Sequence, residues 1–140
     1  MSTLQDHYDA VKVPLARGIL ASRVYDTVRV NGSTPVRDNY VVLIDDSPVL
    51  DENRYTALDL PGSRSRHRFD VRSVATSANG RRMYQQAVRD NLIGVVPVVA
   101  GRVCSAVQLV GAVEEGQPEF DSTAQLHHVL ESYEYWSWRA

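Results

Sequence analysis

Ten consecutive residues near the middle of this chain, Arg66-His67-Arg68-Phe69-Asp70-Val71-Arg72-Ser73-Val74-Ala75, alternate inward and outward types with a period of two. That period predicts a half-buried strand, because successive side chains on an extended backbone point to opposite faces. A polar turn over 76–80 follows. In 81–93, Tyr84, Ala87, Val88 and Leu92 then recur at helical spacing, with Met83 beside them. Ser77 or Asn79 can cap that helix, and Gly94 stops it. A strand leading directly into an amphipathic helix constrains the fold strongly: the helix has to lie back across a sheet to bury its stripe.

The rest of the chain extends this pattern. Leu4, Tyr8, Val11, Leu15 and Ile19 recur in steps of four and three, the stripe of an N-terminal helix. Thr3 stands where its N-cap belongs, and Asp6 in its first turn. Pro14 has no N–H and crowds the turn before it. Either the helix kinks there or a second short helix begins with Pro14 at its first position. Residues 23–30 are rich in β-branched side chains and predict a first strand. Asn31-Gly32 signals a turn, although the polar stretch to Asn39 is too long for a tight hairpin. Tyr40-Val41-Val42-Leu43-Ile44 predicts a central strand buried on both faces.

Residues 45–65 hold Pro48, Pro61, Gly62 and several acids with no sustained period, and predict a long interaction arm. Leu58 and Leu60 could form a brief edge strand within it. After the central helix, 95–101 contains Pro97 and reads as a link. Residues 102–113 read as a strand, 114–123 as a loop and 126–138 as a closing strand. The expected fold is therefore α+β: one domain over 1–140, with a small mixed or antiparallel sheet of about four to five strands packed by an N-terminal and a central helix.

Composition narrows the function classes. The chain has 140 residues, 44% hydrophobic and 23% charged, which suits one globular domain. No apolar run approaches the ~20 residues of a bilayer span, and 1–6 lack a basic, apolar leader, so the expectation is no membrane and a cytoplasmic start. The net charge of −2 argues against a general nucleic-acid binder. Lys12 is the one lysine among fifteen cations, and the others are arginine. Arginine favours bidentate carboxylate pairing and is enriched at protein interfaces, though a GC-rich genome gives the same bias.

Candidate chemistry is sparse. His127 and His128 are adjacent and point to opposite faces of a strand, while His7 and His67 lie on other elements, and no spacing signals convergence on a metal. Asp45, Asp46, Asp51 and Glu52 match no cation-binding loop. Cys104, in an apolar stretch, reads as a buried, inert thiol. There is no glycine-rich phosphate loop and no nucleophile elbow. The expectation is no catalytic residue, no cofactor and no metal. The candidate surface consists instead of Arg64, Arg66 and Arg68, complemented by acids such as Asp51, Glu52 and Glu119. To these are added the aromatics Tyr133, Tyr135, Trp136 and Trp138 of the last strand. Alternation puts the two tyrosines on one face and the two tryptophans on the other, and only one face can pack on the helices.

Taken in order, these phrases resemble the tail terminator (tail completion) proteins of long-tailed bacteriophages, particularly those of actinobacterial hosts. The resemblance rests on an N-terminal helix followed by Arg23-Val24-Tyr25-Asp26, then Tyr40-Val41-Val42-Leu43, then Arg68-Phe69-Asp70-Val71-Arg72-Ser73-Val74-Ala75. Val88-Arg89-Asp90-Asn91-Leu92, Arg102-Val103-Cys104-Ser105-Ala106-Val107 and the ending Tyr133-Glu134-Tyr135-Trp136-Ser137 complete it. It implies a virion protein forming a homohexameric ring on the tail tube, ending tube growth and docking the head. Its implied partners are further copies of itself, the major tail tube protein and a head-completion or connector protein, and transient contact of DNA with the ring lumen is left open. Its implied location is the head-proximal end of the tail, after assembly in the host cytoplasm. The alternatives are a head-completion or adaptor protein of the neck, and a small ligand-binding or enzymatic α+β domain.

Overall fold

The computed structural model describes residues 4–45, 49–50, 64–110 and 118–140. In chain order its elements are α1 (Leu4–Leu15), a 3-10 turn (Gly18–Leu20), β1 (Val24–Tyr25), β2 (Val30–Asn31), β3 (Thr34–Pro35), β4 (Tyr40–Asp45) and β5 (Val49–Leu50). Then follow β6 (Arg64–Ala75), α2 (Ala78–Leu92), β7 (Arg102–Cys104), β8 (Gln108–Leu109), β9 (Glu119–Asp121) and β10 (Leu126–Arg139). Thr3 and the proposed edge strand at Leu58 and Leu60 lie outside the described residues, as does most of the 45–65 arm.

The two long strands, β6 and β10, pair antiparallel from His127 opposite Ala75 to Trp138 opposite Arg64. β4 lies on the other side of β6, and β1 runs parallel to β4, which makes the sheet mixed. β7, β8 and β9 pair with successive stretches of β10, and β5 extends the β4 side of β6. The described sheet thus has eight strands, more than the four to five expected. The surplus comes from segments of two or three residues, too short to show a period in sequence.

Both helices cover one face of this sheet. Val11 and Leu15 of α1 and Tyr84, Val88 and Leu92 of α2 meet Val41, Leu43, Phe69, Val71, Tyr133 and Tyr135 in the main core. On the opposite face, Tyr40, Val42, Val74 and Leu126 form a small second core at one end. β4 is therefore buried on both sides, as its continuous apolar run implied. α2 begins where Ser77 Oγ accepts a hydrogen bond from the Gly80 N–H at 3.0 Å. A Cβ on Gly80 would lie 3.3 Å from the Ala75 side chain and 3.1 Å from Ser77 Oγ, so glycine lets the helix start close against the strand it follows. At its far end, Asn91 donates to the Leu15 and Arg17 carbonyls at 2.8 and 3.1 Å, satisfying acceptors left over where α1 stops.

Several local expectations change. α1 neither splits nor restarts at Pro14. It continues to Leu15, and Pro14 sits buried in the last turn, where its ring leaves the Ala10 carbonyl without its helical N–H partner. The 23–30 strand is only Val24–Tyr25, and the chain then leaves the sheet. A tight hairpin does form, with Val30 opposite Pro35 and Asn31 opposite Thr34, because Gly32 takes a positive φ of 66°. The 102–113 strand is interrupted: Val107 accepts from the Gly94 N–H at 2.9 Å and donates to the Val95 carbonyl at 2.8 Å, which draws it away from β10. β9 lies inside the expected 114–123 loop. Met83 is exposed rather than part of the buried stripe, and Arg81 is buried instead.

Arg89 ties α2 to the sheet. Its guanidinium makes a forked contact with the Glu131 carboxylate on β10, with Nε to Oε2 at 2.9 Å and Nη2 bonding the same oxygen. Glu131 is 4% exposed. Arg89→Ala would leave that carboxylate buried without its counter-charge. Chemical denaturation should show a loss of roughly 3 kcal/mol, against less than about 0.5 kcal/mol for Arg82→Ala on the exposed side of the same helix.

Candidate interface

The helices cover only one of the sheet's two faces, and the other face carries the chain's unusual residues. Register places Arg72 beside Leu130, Asp70 beside Ser132, Arg68 beside Glu134 and Arg66 beside Trp136, all on the side away from α1 and α2, with the backbone of Arg64 opposite that of Trp138. Val103 of β7 lies next to Trp138, and Ile44 of β4 next to Asp70. Trp136 and Trp138 are half-buried, while Ile44 and Val103 are exposed. Among the described residues, no helix covers this side. The small second core occupies only the Tyr40–Val74 end, so the tryptophans do not belong to it.

The structure brings some of the candidate residues together and separates others. Arg66, Arg68, Trp136 and Trp138 share the open face on two adjacent strands, and the backbone of Arg64 lies in line with them. Arg66 Nε lies 3.9 Å from Glu134 Oε2, too far for a hydrogen bond, and that nitrogen is shielded from solvent without a hydrogen-bond partner among the described residues. Glu119, on β9, turns to its own chain, 3.6 Å from His128 Nε2. His128 Nδ1 in turn lies 2.9 Å from Arg72 Nη1. Asp51 and Glu52 lie outside the described residues. Tyr133 and Tyr135 are 0% and 2% exposed, stacked with Phe69 and His67 respectively. They are core residues of this chain, and its surface has to do without them. Period-two alternation with the helices on one side sorts the four aromatics in this way.

Sequence reasoning missed a second cluster, beneath α1. The His7 and His67 rings stack 4.0 Å apart at an interplanar angle of 8°, and His67 stacks on Tyr135 at 5.2 Å. His67 Nε2 is 2.8 Å from Ser65 Oγ, and His7 Nε2 is 3.0 Å from Ser137 Oγ. Arg102 Nε donates to the same Ser137 oxygen at 2.6 Å. A signal was available: His67 shares its strand parity with Phe69 and Val71, and His7 lies one turn from Val11 on the buried stripe of α1. Both histidines therefore point into the same core, sixty residues apart in sequence.

Histidine, serine and arginine in contact invite a catalytic reading, but burial argues against it. Ser65 and Ser137 are 1% and 0% exposed. The cavity beside the stack is about 20 Å³, room for a water molecule and far below the several hundred Å³ of a ligand pocket. Among the described residues, no three histidine, cysteine, aspartate or glutamate side chains are grouped to hold a metal. Burial also raises the pKa of the Cys104 thiol, which keeps it protonated and unreactive. The stack is a polar fastening between α1 and the sheet, and the exposed candidate site is the opposite face.

No family model matches the chain, and no curated protein matches it. Solved structures do share its fold. A chain from the virion of a native gene transfer agent particle superposes with a TM-score of 0.67 at 20% identity, over 93% of this chain and 92% of that one. A second solved protein gives a TM-score of 0.58 at 20% identity, over 99% and 97% of the two chains. Coverage is nearly complete in both directions, so the α+β arrangement of the whole chain recurs in them.

The histidine stack has a pH signature. Burial, followed by the charges of His7 and Arg102, depresses the His67 pKa from its ordinary 6.5 to about 3. The unfolded chain takes up this proton near pH 6.5 and the folded chain does not, so acid favours unfolding across the interval. Stability should be full above pH 6.5 and fall as pH drops toward 3, at roughly 1 kcal/mol per pH unit. Urea unfolding between pH 7.5 and 5 should show this slope in the native chain and a flatter one in His67→Phe.

Proposed function

We propose that this chain is a structural protein of a phage-like virion, a tail terminator whose copies close into a hexameric ring on the end of the tail tube. In this reading the ring ends tube polymerisation and presents the surface to which the head connector docks. The tube protein and a head-completion protein are its partners, DNA passes through its lumen, and no catalysis is involved. The observation that carries it is the combination of a fold shared with a gene transfer agent virion chain and a sheet face that α1 and α2 leave bare, bearing Trp136, Trp138, Arg66 and Arg68.

The physical logic is that of a subunit built to be covered. Tryptophan and arginine dominate the energetic centres of protein interfaces, where they are desolvated by a partner. A closed ring requires each subunit to offer two different, complementary surfaces. Two long strands hold the tryptophans and arginines in fixed register, whereas an exposed loop would not. Arg64, Arg66 and Arg68 would supply the charged contacts, with Asp51, Glu52 and Glu119 as possible complements on neighbouring subunits or on the tube. Trp136 and Trp138 would supply the apolar anchors.

Trp136→Ala combined with Trp138→Ala should abolish incorporation of the chain into particles, while circular dichroism of the purified variant stays like that of the native chain. Electron microscopy of whole particles should show a sixfold collar of the native subunit where the tube ends. Particles without that collar, or normal collars built from the double variant, would sink the proposal.

A further inference from the structure

A groove on the helix side of the molecule has the opposite character to the bare sheet face. It runs between α1 and the 98–100 loop and is lined by Asp6, Asp9, Ala10, Val13, Val98 and Ala100, enclosing about 310 Å³. Val13 is 66% exposed and Val98 is 88% exposed. Two acids thus flank an aliphatic floor in water. Across the sheet, three described arginines, Arg66, Arg68 and Arg72, outnumber the two carboxylates of Asp70 and Glu134 around an aromatic floor. The two surfaces lie on opposite layers of the domain, so one chain cannot bring them together. A two-fold contact would set arginine against arginine or aspartate against aspartate, which like-charge repulsion disfavours.

We infer that the groove of Asp6, Asp9, Val13 and Val98 seats the arginine–tryptophan sheet face of a second copy of this chain, head to tail. This rests on the ring reading above and assigns the subunit–subunit contact within it. Charge complementarity fixes the direction of the contact: carboxylates of one copy meet guanidiniums of the next, while Val13 and Val98 cover Trp136 and Trp138. Burying exposed valines against half-buried tryptophans supplies the apolar part of the contact.

Sedimentation of the purified chain from micromolar to millimolar concentration tests this directly. The native chain should associate, less so as salt is raised. Asp9→Arg and Arg66→Glu should each weaken association by about tenfold or more, and the chain carrying both should recover most of the loss, because the exchanged charges again oppose each other. Circular dichroism checks that each variant folds. Val98→Asp is the second probe should Arg66→Glu fail to fold, and it should weaken association in the same way. A native chain that stays monomeric at millimolar concentration, single variants that associate normally, or a combined variant that does not recover would each overturn this contact. None of these results bears on the ring itself, which is decided by the particle image. Conversely, successful charge exchange with no collar in particles would remove the ring and leave the contact.

Discussion

The twelve-pair ladder between β6 and β10 is the constraint on which the rest of the molecule depends. Because side chains alternate, fixing this register fixes two faces at once. Phe69, Val71, Tyr133 and Tyr135 go to the helices, and Arg66, Arg68, Trp136 and Trp138 go to the other side. A slip of one residue would bury arginine beneath α2 and expose the tyrosines, so the hydrophobic pattern specifies the register strongly. The main core and the bare face are therefore two readings of one backbone arrangement. The Arg89–Glu131 clamp and the histidine stack reinforce it, since each joins a helix to β6, β10 or both at a set position along the ladder.

Much of this was legible in the residues. The 66–75 alternation, the α2 stripe with its Ser77 cap, the doubly buried β4 and the division of the last strand's aromatics all follow from period and chemistry within a single segment. What could not be read there depends on partners distant in sequence. β7 and β8 are separate because Val107 bonds to the 94–95 turn, a tertiary competition that an apolar run does not record. β9 forms because β10 has a free edge beside it. Met83 stands exposed because the buried stripe of α2 runs through Arg81, Tyr84, Val88 and Leu92, and Met83 falls outside it. α1 runs one residue past Pro14 before it stops, so the proline marks the helix end rather than a break within it.

The candidate surface was legible in part for the same reason. Parity separates Trp136 and Trp138 from Tyr133 and Tyr135 and requires one pair to be core, but which pair faces the helices is decided only by the fold, which sets the tyrosines into the main core. Parity and helical spacing point His67 and His7 each into the core, but nothing in either segment says that the two rings meet there in a stack until the fold joins them. Its burial gives it a structural part: it holds α1, and with α1 the flank of the acidic groove, against the sheet. Interior polar contacts would in this way set the geometry of an exterior surface on the far layer from the tryptophans.

On the proposed function, the sheet face left to arginine and tryptophan is covered by a partner in the assembled particle. Hydroxyl-radical footprinting with mass spectrometry reads it at the two residues concerned, since Trp136 and Trp138 are the only tryptophans in the chain. The account predicts that both are readily oxidised in the dilute, isolated subunit and protected in the assembled particle, with Tyr133 and Tyr135 protected in both. Equal oxidation of the tryptophans in the two states would contradict it.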